Sequence, residues 1–335
     1  MKRNNDYRLP YTRPVKAPAM RPPTRVYKPT PAMDALNLDS LSPQAKAFLN
    51  EEAVLMAINH FGHIRLAELL AYVWPERTPQ QAMSVATKVI ERLLYAQQIQ
   101  ERLNALGTTS YVITSRGASR LHTLPDIKYA KTGANLATTG PTFFHRTIGT
   151  AYLVNRYAQE PCEVYGEHLL MRDQPISRQY LNERFSKMPD GLVFYPDPEG
   201  HGYLVDWIEV EYVTKNYEKT AHVLNLLLKD PWIQRDGTYA KLARIIFIVD
   251  QLSHHESRIS THFLRFLNAP EAKNLDPLLA LNRLWIARAQ VEAPCTWKGY
   301  LHVQGPNFRT SSKKPLGDVV PRVFAPDLTK PLPSL

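Results

Sequence analysis

A chain of 335 residues that is 44% hydrophobic and 21% charged has the material for a sizeable core, and its length favours two domains over one. A formal charge of +10 and a pI near 9.4 point to an anionic partner, with nucleic acid first among the candidates. Cys162 and Cys295 are the only cysteines, too few for a disulfide framework or a cysteine-type zinc site. No apolar run approaches the ~18 residues of a membrane span and no apolar signal core stands at the start, so a cytoplasmic protein without membrane insertion is expected.

Residues 1–45 mix basic residues with frequent prolines and carry few acids. Such a segment buries too little apolar surface to offset its ordering entropy, and reads either as a solvated linker or as a basic arm that touches phosphates. Residues 46–125 read as a compact domain. "FLNEEAVLMAINHFG" has helical spacing, "IRLAELLAYVWP" is a second helix stopped by Pro75, and "TPQQAMSVATKVIERLLYAQQI" is a third, with Thr78 as N-cap and Pro79 at the first helical position. Two short β-like runs around a glycine turn and a further short helix follow. Three helices and then a hairpin is the order of a winged helix-turn-helix, whose third helix lies in the major groove of double-stranded DNA. Gln80, Gln81, Ser84, Thr87, Lys88 and Arg92 are the candidate contacts on that helix. A protein-docking role is the alternative for such a module.

Residues 140–304 alternate helical and strand-like runs, which indicates a layered α/β domain; with the first domain the chain is α+β overall. "FFHRTIGTAYLVNRYAQE" is helical, "CEVYGEHLLM" strand-like, "EKTAHVLNLLLKD" helical, "KLARIIFIVD" a strand buried on both faces, "ESRISTHFLRFLN" helical, and "LNRLWIARAQVE" a last strand. Residues 305–335 repeat the character of the first segment and read as a flexible tail.

The chemistry concentrates in "MPDGLVFYPDPEGHGYLVDWIEVEYVTKNYEKT", residues 188 to 220. Strand alternation puts Val205, Trp207, Glu209 and Glu211 on one face, and Leu204, Asp206, Ile208 and Val210 on the other. Folding the hairpin near Glu199 brings Asp190 roughly opposite Ile208 and Glu209. Three carboxylates in one patch repel unless a cation sits between them, and an all-oxygen set suits Mg²⁺ or Mn²⁺. Lys215, Lys219 and His222 then share one face of the following helix, where a lysine could steady the charge that develops when water attacks a phosphodiester. Tyr212 and Tyr217 are alternative nucleophiles, with activated water the simpler one.

"PDG", then "IEVE", then lysine resembles the PD-(D/E)XK nuclease core. With a winged helix in front, residues 48 to 304 resemble the replication-relaxation family, which is similar to the C-type mobilisation relaxases of conjugative and mobilisable plasmids. The resemblance implies a restriction-endonuclease-like second domain and metal-dependent nicking of an origin-like DNA site. It also implies possible partnership with other transfer or replication proteins. It implies metal binding by Asp190 and Glu209, with Glu211 close by and Glu167 completing the site, and contact by His145 with the site or the scissile strand. The usual lysine position, two residues after the second acid, is Glu211 here, so the resemblance implies that Lys215 or Lys219 replaces it. A non-catalytic DNA-binding control protein with a dead nuclease fold is the alternative.

Overall fold

The computed structural model describes residues 41–103, 109–124, 130, 132–133, 136, 140–159, 161–172, 176–200, 202–211, 216–229, 231–235, 238–250, 255–289, 291–292, 296–297 and 301–304. The two basic terminal segments fall outside this set, apart from the residues that open the first helix.

Helix α1 (Pro43–Phe61) starts where the Ser42 hydroxyl accepts the Ala45 amide at 3.2 Å and Pro43 presets the first turn. It ends at Gly62, which takes φ +78° and returns its N–H to the Ile58 carbonyl at 2.8 Å. A Cβ there would also stand 2.3 Å from Nδ1 of His168, so both the dihedral and the close approach require glycine. Strand β1 (His63–Arg65) and helix α2 (Leu66–Val73) follow, and the chain turns at Trp74–Pro75. Helix α3 (Pro79–Tyr95) opens on a capping box: Gln81 N–H donates to the Thr78 hydroxyl, and Thr78 N–H donates to Gln81 Oε1 at 3.2 Å. Strands β2 (Ile99–Leu103) and β3 (Thr109–Ile113) form an antiparallel hairpin, and β1 adds to its other edge in the order β1-β3-β2. Helix α4 (Ser115–Leu121) closes this part under a Thr114 cap.

Helix α5 (Gly140–Gln159) leads into a mixed sheet. Strand β4 (Glu163–Gly166) is shorter than its apolar run suggests, because Glu167–Leu170 turns into a single helical turn, α6. Helix α7 (Arg178–Phe185) precedes β5 (Gly191–Pro196) and β6 (Tyr203–Glu211). Then come α8 (Tyr217–Lys229), β7 (Trp232–Arg235), β8 (Thr238–Asp250), α9 (His255–Leu267), α10 (Pro277–Arg283) and β9 (Leu284–Ala289). Short strands β10 (Val291–Glu292), β11 (Thr296–Trp297) and β12 (Leu301–Gln304) end the described chain. The strand order is β12-β9-β8-β6-β5-β4, with β7 paired to β8. Strands β4, β5 and β6 make an antiparallel meander; β6, β8 and β9 run parallel, with α8 and then α9 and α10 as crossovers. The protein is thus a mixed α/β structure.

Each face of the sheet is buried by different helices. Val193, Ile208, Val210, Ile246 and Ile248 share a core with α5 residues Ile148, Tyr152 and Leu153, and with Leu55, Ile58, Phe61 and Tyr72 of the first part. Val205, Trp207, Ile245 and Phe247 face the other way, under Leu224 and Leu227 of α8 and Phe263 of α9. Helix α5 is therefore enclosed between α2 and the sheet, and one continuous core joins the two halves. The buried residues of α8 are Thr220, Val223, Leu224, Leu226 and Leu227, and Tyr217, Ala221 and Leu228 are half-buried at the margin of this stripe.

Candidate functional site

Asp190 stands where β5 begins, held through its backbone N–H, its carbonyl and its carboxylate. Its N–H donates to the Ile208 carbonyl at 3.0 Å, and its carbonyl accepts the Glu167 N–H at 3.0 Å. Its Oδ2 accepts the Val210 N–H at 2.7 Å, so the carboxylate extends the β5–β6 ladder one step past the end of β5. The same oxygen meets Nε2 of His145 on α5 at 3.0 Å. Beside it, Arg146 Nε donates to Glu167 Oε2 at 3.0 Å. These four side chains, with His168, Gly149, Thr150, Leu153, Phe61 and Gly166, line a small open pocket on the α5 side of the sheet. Small residues allow this approach: a Cβ on Gly191 would meet Leu153 at 3.1 Å. The structure therefore brings together His145, Glu167 and Asp190.

It does not bring Glu209 to them. Glu209 shares a face with Val205 and Trp207, which is the α8 side, whereas the Asp190 carboxylate engages the α5 side. Glu209 is 0% exposed. Its Oε1 accepts the Trp207 Nε1–H at 2.7 Å, and its Oε2 is paired with the Lys187 ammonium. Burial of that carboxylate is compensated by the Lys187 ammonium and the Trp207 indole N–H. Glu211 is also buried, and its carbonyl engages Nδ1 of His255 at 2.8 Å. The three-acid cradle of Asp190, Glu209 and Glu211 is not assembled, because the sheet stands between its members. Among the described residues no three His, Cys, Asp or Glu side chains are grouped to hold a metal ion. Lys219 is exposed on α8, where its N–H donates to Asn216 Oδ1 at 3.2 Å; Lys215 and Tyr212 lie outside the described residues. Among the described residues, Lys187 is the lysine that reaches Glu209. It precedes Asp190 by three positions, on the side of the motif opposite to the one expected.

The outward face of α3 carries the groove candidates. Ala82, Ala86, Val89, Ile90 and Leu93 are buried, which leaves Gln80, Gln81, Ser84, Thr87 and Lys88 exposed in a continuous line. Tyr95 extends that line at 94% exposure. Two candidates have other duties. Gln81 closes the capping box, and Arg92 donates to Glu51 at 2.7 Å, alongside Arg120 at 2.8 Å. Burial would raise the Glu51 carboxyl, but the two guanidiniums outweigh it and hold the group below its usual range. Arg92 thus ties α3 to α1. The Thr87 hydroxyl donates to the Met83 carbonyl at 3.0 Å.

Two polar clusters escaped the sequence reading. Asp206, fully buried on the α5 face, accepts Arg244 Nε at 2.9 Å and Nη2 at 2.7 Å, accepts the Tyr195 hydroxyl at 3.0 Å, and has Arg156 Nη2 at 3.6 Å. Burial works against the Arg244 charge, but the Asp206 carboxylate prevails and raises its pKa. Burial and Asp206 together raise the Tyr195 phenol. The signal was available: Asp206 alternates in phase with Ile208 and Val210. The second cluster is His60, His63 and His168, at the seam between the halves. His60 Nε2 lies 2.7 Å from the Val164 carbonyl, and His63 Nε2 lies 3.2 Å from the Thr147 hydroxyl.

No family model matches the chain, and no curated protein or solved structure matches it at a significant level.

Proposed function

We propose that the chain is a DNA-binding protein of the relaxase class that serves mobilisation or replication of a plasmid or integrative element. In this reading residues 46–125 are a winged helix whose α3 enters the major groove, and residues 140–304 are a restriction-endonuclease-like domain of the replication-relaxation type. The observation that carries it is the pocket where Asp190, His145 and Glu167 meet at the open end of the β4–β5–β6 meander, on a sheet that continues through a helical crossover into parallel strands. The exposed Gln80–Ser84–Lys88 line and the +10 charge supply the duplex-facing surface. In this reading the carboxylates of Asp190 and Glu167, which share the pocket, would hold Mg²⁺ or Mn²⁺.

A second reading is supported by Glu209. With that acid paired to the Lys187 ammonium and hydrogen-bonded by Trp207, the domain would hold DNA without cutting it and act as a replication or transfer control protein. A nicking assay on supercoiled plasmid bearing the cognate site, with Mg²⁺ or Mn²⁺, separates the two. Open circles that vanish in Asp190→Ala while duplex binding persists support the relaxase. Binding without nicking supports the control protein. Absence of both would refute the DNA reading altogether.

A further inference from the structure

The β7–β8 hairpin carries aromatic side chains into solvent. Trp232 is 44% exposed and Tyr239 is 53% exposed, which is unusual for rings of this size on a sheet. The register explains how both reach one side. Trp232 pairs with Lys241 and Gln234 pairs with Tyr239, so the two rings are diagonal neighbours, and all four side chains are exposed. Between them, Ile233 and Ala240 pair on the opposite side and are buried at 0% and 2%. The hairpin is thereby anchored by one side and presents the other.

The outer edge of β7 is already occupied. The Tyr180 hydroxyl of α7 donates to the Trp232 carbonyl at 3.3 Å and accepts the Gln234 N–H at 3.3 Å. These are the groups a further strand would need, so the hairpin is closed to strand addition by another chain. What it offers is a rigid ring surface with a cation beside it. Lys241 lies beside Trp232 in the ladder. Rigid exposed rings beside a lysine are the elements of a stacking surface for unpaired bases, with the ammonium near the phosphates.

We infer that the Trp232–Tyr239 face of this hairpin binds single-stranded DNA by stacking of bases on the two rings. The placement suits the proposed function, on which this inference rests for its biological setting. Lys241 pairs with Leu204, whose alternation partner Asp206 faces α5, so the rings are on the pocket's side of the sheet. The pocket lies by Val210 and the rings by Leu204, about 20 Å apart along β6. A strand released from the duplex at the pocket has this surface within reach.

The test uses the full chain and a fluorescein-labelled oligo-dT, read by anisotropy at fixed salt. Trp232→Ala and Tyr239→Ala should each weaken oligo-dT binding about 5- to 100-fold, while Trp232→Phe retains most of it. Both side chains point away from the core and the Tyr180 contacts are to main chain, so unchanged circular dichroism and melting temperature are expected. Affinity for a blunt duplex should be unchanged in all three. Equal losses on duplex and oligo-dT, or no loss on oligo-dT, would overturn the inference. So would a fall in sedimentation coefficient for Trp232→Ala, which would assign the rings to a contact between copies. Loss of duplex binding in a Lys88→Ala variant that still binds oligo-dT, or absence of nicking, would bear on the proposed function and leave this surface standing.

Discussion

Mild acid should destabilise this protein before its ordinary carboxylates titrate, because the seam between its halves buries three neutral histidines. Burial pushes His60 and His63 down from 6.5 to about 4; the Val164 carbonyl partly offsets this for His60, while Arg146 and Arg65 add to it for His63. His168 is held well below 6.5, first by burial and then by Arg172 and Arg146. In each case the folded ring binds its proton less readily than the unfolded one. Between pH 6.5 and about 4 the unfolded chain therefore holds more protons, and stability falls as the pH falls. Above pH 6.5 the contribution is intact; below about pH 4 it is fully lost.

At ~1.4 kcal/mol per pH unit, each of His60 and His63 removes ~2 kcal/mol by pH 5 and ~3 kcal/mol once both states are protonated. The pair amounts to ~4 kcal/mol at pH 5, a large part of the 5–15 kcal/mol that is typical of a folded domain. Urea midpoints measured from pH 7.5 to pH 5 at constant ionic strength give the slope. His60→Leu keeps the ring's place apolar and removes its proton site, so its stability should fall less steeply over the same interval. It should lose some stability at neutral pH with the Val164 hydrogen bond. A flat profile in the parent, or an unchanged slope in His60→Leu, would refute the claim that the seam is closed on neutral rings.

Three further outcomes follow from particular contacts. Asp206→Ala leaves Arg244 and Arg156 without their shared buried carboxylate and should cost ~3–5 kcal/mol by urea denaturation, whereas Asp197→Ala in the exposed turn should cost under ~1 kcal/mol. Gln81→Ala should lower stability by about 0.5–1 kcal/mol through the capping box and leave sequence discrimination unchanged, while Lys88→Ala should weaken binding to all duplexes alike and reduce the salt slope by about one. If Asp190 is chiefly the ladder extension that holds Val210, then Asp190→Ala should lower the melting temperature sharply with or without metal; if it is chiefly a cation ligand, millimolar Mg²⁺ or Mn²⁺ should raise the parent's melting temperature and not the variant's.

Local signals in the sequence were read well where they were chemically redundant. Thr78 and Pro79 each mark the same helix start, and α3 begins there; the capping-box role of Gln81, a groove candidate by sequence, comes from the structure. Asp190 was legible as an acid at a strand start, and the hairpin register placed it within one residue of its partner. What alternation could not reveal was which layer covers each face. Glu209 and Glu211 share a face as expected, but that face lies under α8 and α9, while His145 and Glu167 come from the α5 side. The lysine for Glu209 comes from position 187, where no periodic argument points, because a turn rather than an element carries it. Gly166–Glu167 hid the change from strand to helical turn in an apolar run that suits either. The "PWIQRDGTYAK" stretch carries a hairpin signal, with Asp-Gly between alternating runs, but the exposure of its rings is a tertiary property that alternation does not set.

The shared core has a consequence for how a DNA-binding and a DNA-processing part would cooperate. Two modules on a flexible tether would hold the pocket near the duplex only as an effective concentration. Here α2 packs on one flank of α5 and the sheet on the other, and His145 belongs to α5 itself. His60 reaches from α1 to the Val164 carbonyl of β4, one strand away from Asp190. A duplex seated on α3 would therefore have a fixed orientation relative to the pocket, set by side chains that interlock across the seam. Loosening the seam should then impair action at the pocket more than it impairs duplex binding, because α3 keeps its own core of Ala86, Val89 and Leu93 against α1 when the junction with α5 yields.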